Sequence, residues 1–330
     1  MTEALVLGST GCIGNNIARA CLQAGWTVRA FHRSLIGSKT WMLDDLDVQH
    51  VIGNLCDPRS LRSAMQGCDV VFHAAAYYPL HSLDMRRSLR EASTEMRAVL
   101  SAAALAGVGR LVYTSSLTTL GPSAEAGRLA DERDFYLPGS TDSAYFECKW
   151  TMEAEAWRAV AEGLPIVIVN PTAVFGPWDV KPTTGKILLY LAKGRFPAWL
   201  DLQVNIVDAR DVGQGQVLAA ERGRVGQRYI LGGQNQTVRN ALTLAAEEAG
   251  VKPPTWRMPL GLLRVVVQVG EALGRLPLVR PLPLEHVKTI REWRALNTDK
   301  ARKELGFETR SLHDTLHDTL AWFRQHGYLA

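Results

Sequence analysis

The chain has 330 residues, 47% of them hydrophobic and 21% charged, with a net charge of +4. This excludes disordered and collagen-like classes, and the length suits about two domains, or one large domain with an appended lobe. Its 37 basic and 33 acidic residues are spread along the chain, so nothing calls for a nucleic-acid partner.

In chain order, Ala4 to Leu7 is a short apolar run, and Ile13 to Ala24 has helical spacing. Trp26 to Phe31, Asp47 to Val51 and Asp69 to Ala74 are expected as strands two to four. Glu91 to Ala106 is predicted helical, Arg110 to Thr114 a strand, Tyr145 to Ala161 a helix and Leu164 to Val169 strand six. Short apolar runs alternating with helices imply βαβ crossovers and a parallel sheet covered on both faces. After Asn170-Pro171 the rhythm breaks. Leu202 to Val207 and Arg228 to Leu231 are expected as strands around a helix, Asp211 to Ala220; Thr237 to Ala249 and Ser311 to His326 are further helices.

The first strand runs straight into Gly8-Ser9-Thr10-Gly11-Cys12-Ile13-Gly14, which opens the first helix. Glycines there permit a tight turn and let backbone approach a pyrophosphate, whose oxygens the helix N-terminus can receive. The expected fold is therefore α/β, a Rossmann-type doubly wound parallel sheet with a smaller C-terminal lobe. Residues 1–171 would form the dinucleotide-binding domain, with 202–232 returning to it, and 172–201 with 233–330 the substrate lobe. An acid after the second strand would bind the adenosine ribose; the chain instead has Arg33. An arginine suits a 2′-phosphate, so Arg33, with Lys39 as a weaker second cation, favours NADP while leaving NAD open.

Tyr145 and Lys149 stand at i and i+4 of a predicted helix, on one face. A phenol with a pKa of ~10 is a poor acid or base at neutral pH, and a neighbouring ammonium would lower it. The spacing alone is weak; the order of glycine turn, Tyr113-Thr114-Ser115-Ser116, then Tyr-x-x-x-Lys is not.

With these motifs, and with VRAFHR, VVFHAAA, VIVNPTAVFGP and KARKELGF, the chain resembles the extended short-chain dehydrogenase/reductases, and within them dihydroflavonol-reductase-like and hopanoid-associated epimerase-like proteins. The resemblance implies that Tyr145 is the acid/base and Lys149 its modulator and ribose ligand, with Ser116 binding the substrate oxygen. It also implies cofactor contacts at Gly8, Thr10, Gly11, Cys12, Ile13, Gly14, Asn54, Leu55, Ala74, Ala75, Pro171 and Val174. Two positions depart from the family pattern: its helix Asn is Ala92 here, and its Arg-Pro is Asn170-Pro171. Leu117-Thr118 replaces the Asp-Glu of the dehydratases, which argues against sugar dehydration.

Tyr77, Tyr78, Phe175, Trp178 and Trp199 fall in segments expected near a small-molecule substrate. His313 and His317 have zinc-like spacing without a third ligand, and the five cysteines lack any Cys-x-x-Cys; no metal is expected. Cys148 is expected to be a packed thiol. The opening residues lack a basic leader pattern, and charges and prolines interrupt Pro259 to Leu284; the expectation is a cytoplasmic protein without stable membrane insertion. The leading reading is an NADP-dependent oxidoreductase of a ketone or secondary alcohol on a hydrophobic substrate. The alternatives are a nucleotide-sugar epimerase, for which Lys186 and Arg195 are the nearest phosphate clamp, and a non-catalytic NADP-binding redox sensor. A homodimer through residues 91–106 and 145–161 is expected from the family.

Overall fold

Five β runs in the first half of the chain and two beyond it become seven parallel strands in the computed structural model, which describes all residues but 34–38, 76, 78, 80–83, 197, 264, 266–268, 270–283 and 330. They are β1 (Glu3–Leu7), β2 (Thr27–His32), β3 (Gln49–Ile52), β4 (Val70–His73), β5 (Arg110–Thr114), β6 (Ile166–Pro171) and, much later in the chain, Arg228–Leu231. Their spatial order is β3-β2-β1-β4-β5-β6, followed by Arg228–Leu231 at the edge beside β6. The order reverses between β1 and β4, the crevice where doubly wound sheets bind ligands.

Alternation along each strand divides the core. Leu5 and Leu7 face one layer with Leu111, Tyr113 and Ile168; Ala4 and Val6 face the other with Val112, Val167 and Tyr229. The first layer is covered by α2 (Pro58–Met65), α3 (Met85–Ala106) and α4 (Ala144–Ala161). The second is covered by α1 (Cys12–Gln23) and a helix at Ala209–Arg222. Burial on both faces is why these strands read as continuous apolar runs rather than alternating ones.

The helix ends follow local chemistry. Asp84 caps α3 by accepting from the Arg87 amide at 2.9 Å, so α3 begins six residues before the expected Glu91, through a charged turn without apolar periodicity. Gly107, at φ 65°, stops it. Helix α2 was not anticipated, although Asp57 accepts from the Arg59 amide and Pro58 opens the first turn.

Beyond β6 the chain builds a smaller layer from β7 (Ala173–Phe175), α5 (Lys186–Ala192), β8 (Ala198–Trp199) and β9 (Gln203–Asp208), followed by α6 (Ala209–Arg222). Next come β10 (Arg228–Leu231, the edge strand above), β11 (Gln234–Thr237), α7 (Val238–Ala249) and β12 (Trp256–Arg257). The two strands expected within 202–232 pair in different sheets. β10 joins the central sheet, but β9 pairs parallel with β7 and antiparallel with β11 in a separate three-stranded sheet. Helix α6 starts directly at the end of β9 and packs on α1, and Val207 of β9 joins it in the second core layer. There a β-carbon at Gly213 would lie 2.3 Å from the Asn16 carbonyl oxygen, so α1 and α6 touch through backbone. The final helix, Leu312–Gln325, is capped by Ser311 and buries Leu316, Leu320 and Phe323 in the lobe core.

Candidate active site

The residues singled out in the sequence collect along one edge of the central sheet, beyond the C-terminal ends of its strands. Gly8 follows β1, Arg33 follows β2, Asn54 lies just past β3, Ala74 and Ala75 follow β4, Ser116 lies past β5, and Pro171 ends β6. Parallel strands send all these ends to one side.

The turn after β1 is shaped by missing β-carbons. Gly8 has φ +88°, and a β-carbon on it would lie 2.7 Å from the Ala75 amide nitrogen. One on Gly14 would lie 2.1 Å from the Gly8 carbonyl oxygen. The Gly11 amide closes the turn on that carbonyl at 2.9 Å. Thr10, Cys12 and Ile13 complete the helix entry, half-buried, and no acid occupies the first turn of α1. Such a bare turn at a helix N-terminus fits a dinucleotide pyrophosphate.

Around it, Asn54 is exposed and its Oδ1 accepts from the Cys56 amide at 3.0 Å, while Leu55 packs on the first core layer. Arg33 is exposed, and its charge reaches the Glu95 carboxyl. Lys39 opens the 3-10 turn Lys39–Leu43; its side chain lies outside the described residues. Val174 on β7 packs against the second core layer.

Ser143 caps α4 and places Tyr145 in its first turn. The Tyr145 hydroxyl lies 3.5 Å from Ser116 Oγ, with Lys149 buried one turn on. Burial pushes the Tyr145 phenol up, opposed by the Ser116 hydroxyl. It pushes Lys149 down to about 8, opposed by the charges of Glu153 and Glu95. The expected depression of the tyrosine by the lysine is therefore not the dominant effect: leaving water disfavours the charged form of each group. His73, at the end of β4, is driven down to about 3 by burial and then by Lys149, so it is a neutral neighbour.

Sequence reasoning missed what holds this pair. Glu153 continues the ladder of Tyr145 and Lys149 at i+4, and that spacing was the available signal. Its carboxylate accepts from Ser115 Oγ, and from Thr119 Oγ1 at 2.6 Å. Asn170 Nδ2 lies 3.1 Å from the same oxygen and donates to the Ser116 carbonyl at 3.1 Å. On the other side Glu153 pairs with the Arg228 guanidinium at 3.0 Å, both side chains being 2% exposed or less. Arg228 also donates to the carbonyls of Glu132 and Asp134 and covers the Phe135 ring. The Asn170 that departs from the family's arginine thus ties β6 to the serine-bearing loop.

The remaining candidates separate. Tyr77 packs half-buried against the first core layer; Tyr78 lies outside the described residues. Trp178 (φ 71°) is packed among Arg19, Trp41 and Trp322 rather than displayed. Phe175 and Trp199 line a lobe cavity. His313 and His317 both contact the Glu248 carboxylate, and no metal-holding group occurs among the described residues. Cys148 is buried in the core. No helix among the described residues is long and apolar enough to cross a membrane.

The profile of the NAD dependent epimerase/dehydratase family matches residues 4–232. A putative dihydroflavonol 4-reductase of Synechocystis is 37% identical, covering 98% of this chain and 95% of its own. Sterol demethylase protein B of Methylococcus capsulatus is 31% identical over 98% and 99%. The crystal structure of gox2253 superposes with a TM-score of 0.86 at 34% identity, over 100% of this chain and 99% of that one. The glycine turn, the Ser116–Tyr145–Lys149 cluster and these likenesses agree: the chain belongs to the NAD-dependent epimerase/dehydratase family, and is an NAD(P)-dependent enzyme of the extended short-chain dehydrogenase/reductase type.

Proposed function

We propose that the protein interconverts a ketone and a secondary alcohol on a hydrophobic substrate, with NADP(H) as the coenzyme. The observation that carries this reading is the Ser116–Tyr145 hydroxyl pair, 3.5 Å apart, with Lys149 buried one turn away. When bound, the nicotinamide supplies or accepts the hydride. The turn from Gly8 to Gly14 would hold the pyrophosphate, Asn54 and Leu55 the adenine, and Ala74, Ala75, Pro171 and Val174 would line the remaining length. Arg33 stands where a ribose-binding acid would favour NAD, and its guanidinium suits a 2′-phosphate.

In reduction, Tyr145 donates its hydroxyl proton to the carbonyl oxygen and Ser116 donates a hydrogen bond to that same oxygen. A high tyrosine pKa suits an acid that must stay protonated until the oxygen gains charge. Lys149 then stabilises the phenolate with its ammonium and binds ribose hydroxyls. The Glu153–Arg228–Asn170 network fixes the serine loop against α4, so the two hydroxyls meet the substrate oxygen with little reorganisation.

The test is a panel of ketones and secondary alcohols followed by NADPH absorbance, with nucleotide-sugar interconversion followed in parallel. Turnover of ketones, lost by about 10²–10⁴-fold in Tyr145→Phe with coenzyme affinity kept, is the expected result. Interconversion of sugars without net NADPH change would replace this reading with epimerisation. Normal turnover in Tyr145→Phe would refute the role of the tyrosine.

A further inference from the structure

The lobe encloses a cavity of about 220 Å³ between β7, β9, α5 and α7. Among the described residues every lining side chain is apolar, Phe175, Leu188, Val204, Leu242 and Trp293 among them. Protein interiors keep few voids larger than a water molecule. A dry apolar cavity of about 150 Å³ accepts benzene, so this one has room for roughly eight to ten carbons.

Its position relates it to the chemistry. Val204 and Trp293 also wall a narrow crevice lined by Leu117, Thr172, Asn205 and Arg294. Leu117 adjoins Ser116, and Thr172 adjoins Pro171. The crevice, which Leu296 also lines, therefore shares two walls with the chamber and takes two others from residues next to Ser116 and Pro171, with Thr172, Asn205 and Arg294 as its polar groups. On the outer side, lining residues Met258 and Leu263 alternate with exposed Trp256, Leu260 and Leu262, so an apolar ligand meets an apolar rim.

We infer that the chamber binds the hydrocarbon tail of the substrate, about eight to ten carbons long, and so presents the carbonyl or alcohol carbon to Ser116 and Tyr145. The inference rests on the reading of the site as an oxidoreductase of apolar carbonyl compounds. It selects tailed carbonyl compounds over nucleotide sugars, whose charged diphosphate would find no partner in the chamber.

Binding is measured first, without turnover, using the uncharged ten-carbon fluorophore 1-naphthylamine, which matches the volume of the chamber. Saturable binding of one probe per chain is expected, displaced by 2-alkanones whose affinity rises about fourfold per methylene and levels off near ten carbons. Ala241→Phe, which fills the chamber, should weaken the probe at least tenfold; Ala198→Leu is a milder filling should the first fail to fold. No saturable binding, or binding indifferent to a folded filling variant, overturns the inference. Probe binding and chain-length dependence without reduction of any ketone would leave the chamber standing and remove the oxidoreductase reading. Ketone reduction with no chain-length dependence would do the reverse.

Discussion

Replacing Lys149 with Met should make the protein more stable near neutral pH while disabling it. Lys149 is 6% exposed, and burial lowers its pKa from 10.5 to about 8. Between those values the unfolded chain holds a proton that the folded protein lacks, so unfolding free energy rises with pH across that window. Below pH about 8 the folded protein carries the full cost of a buried ammonium. At 1.36 kcal/mol for each factor of ten, that cost is about 3 kcal/mol. Methionine has no charge to desolvate. It also withdraws a cation from Glu95 and Glu153, but that attraction is already contained in the lowered pKa, so the gain at pH 7 is about 3 kcal/mol. Urea unfolding of both proteins at pH 7 and pH 10.5 isolates the effect, because other titrating groups cancel in the difference. The advantage of the variant should shrink by about 3 kcal/mol between the two pH values. A pH-independent difference, or a variant less stable at pH 7, would refute the reasoning.

Arg33→Ala should erase most of the preference for NADP(H) over NAD(H), a change of about 10- to 150-fold for one charge-assisted contact; equal affinities in the unmodified protein would remove the basis for it. Glu153→Gln leaves the Arg228 guanidinium buried without its counter-charge, and should cost about 3–5 kcal/mol by denaturant unfolding. Adding Arg228→Met should recover some of that loss, and strict additivity of the two changes would contradict the pairing. A homodimer through α3 and α4 is expected, and light scattering that gives the monomer mass at micromolar concentration would refute it.

Strands were legible because a doubly covered sheet demands uninterrupted apolar runs, as in Val70–His73 and Ile166–Pro171. The glycine turn was legible because backbone proximity is written as missing side chains. Tyr145 and Lys149 were legible as neighbours on one helical face. The support around them was not, because Ser115, Glu153, Asn170 and Arg228 come from four elements, and only the sheet order brings β10 beside β6. Trp178 shows the converse: an aromatic residue in an irregular segment reads equally as ligand wall or as packing, and the Arg19 guanidinium 3.7 Å from its ring centroid shows packing. The fate of β9 was hidden for a related reason, since nothing in its residues says which sheet it will pair with.

The bare-backbone meeting of α1 and α6 at Gly213 and Asn16 acts as a rivet. Helix α6 grows directly from β9, a strand of the small sheet, and α1 begins at the glycine turn. Asn16 also donates to the Pro177 carbonyl at 3.3 Å, adding a second fastening to the loop after β7. Any swing of the lobe would have to pull apart a pair of main chains that have no side chain between them to slide or refit. The small sheet and the glycine turn are therefore joined through main-chain contact on one side and a side-chain hydrogen bond on the other. The same rivet makes position 213 a place where a single added methyl would be felt at the turn, far along the chain from either hydroxyl.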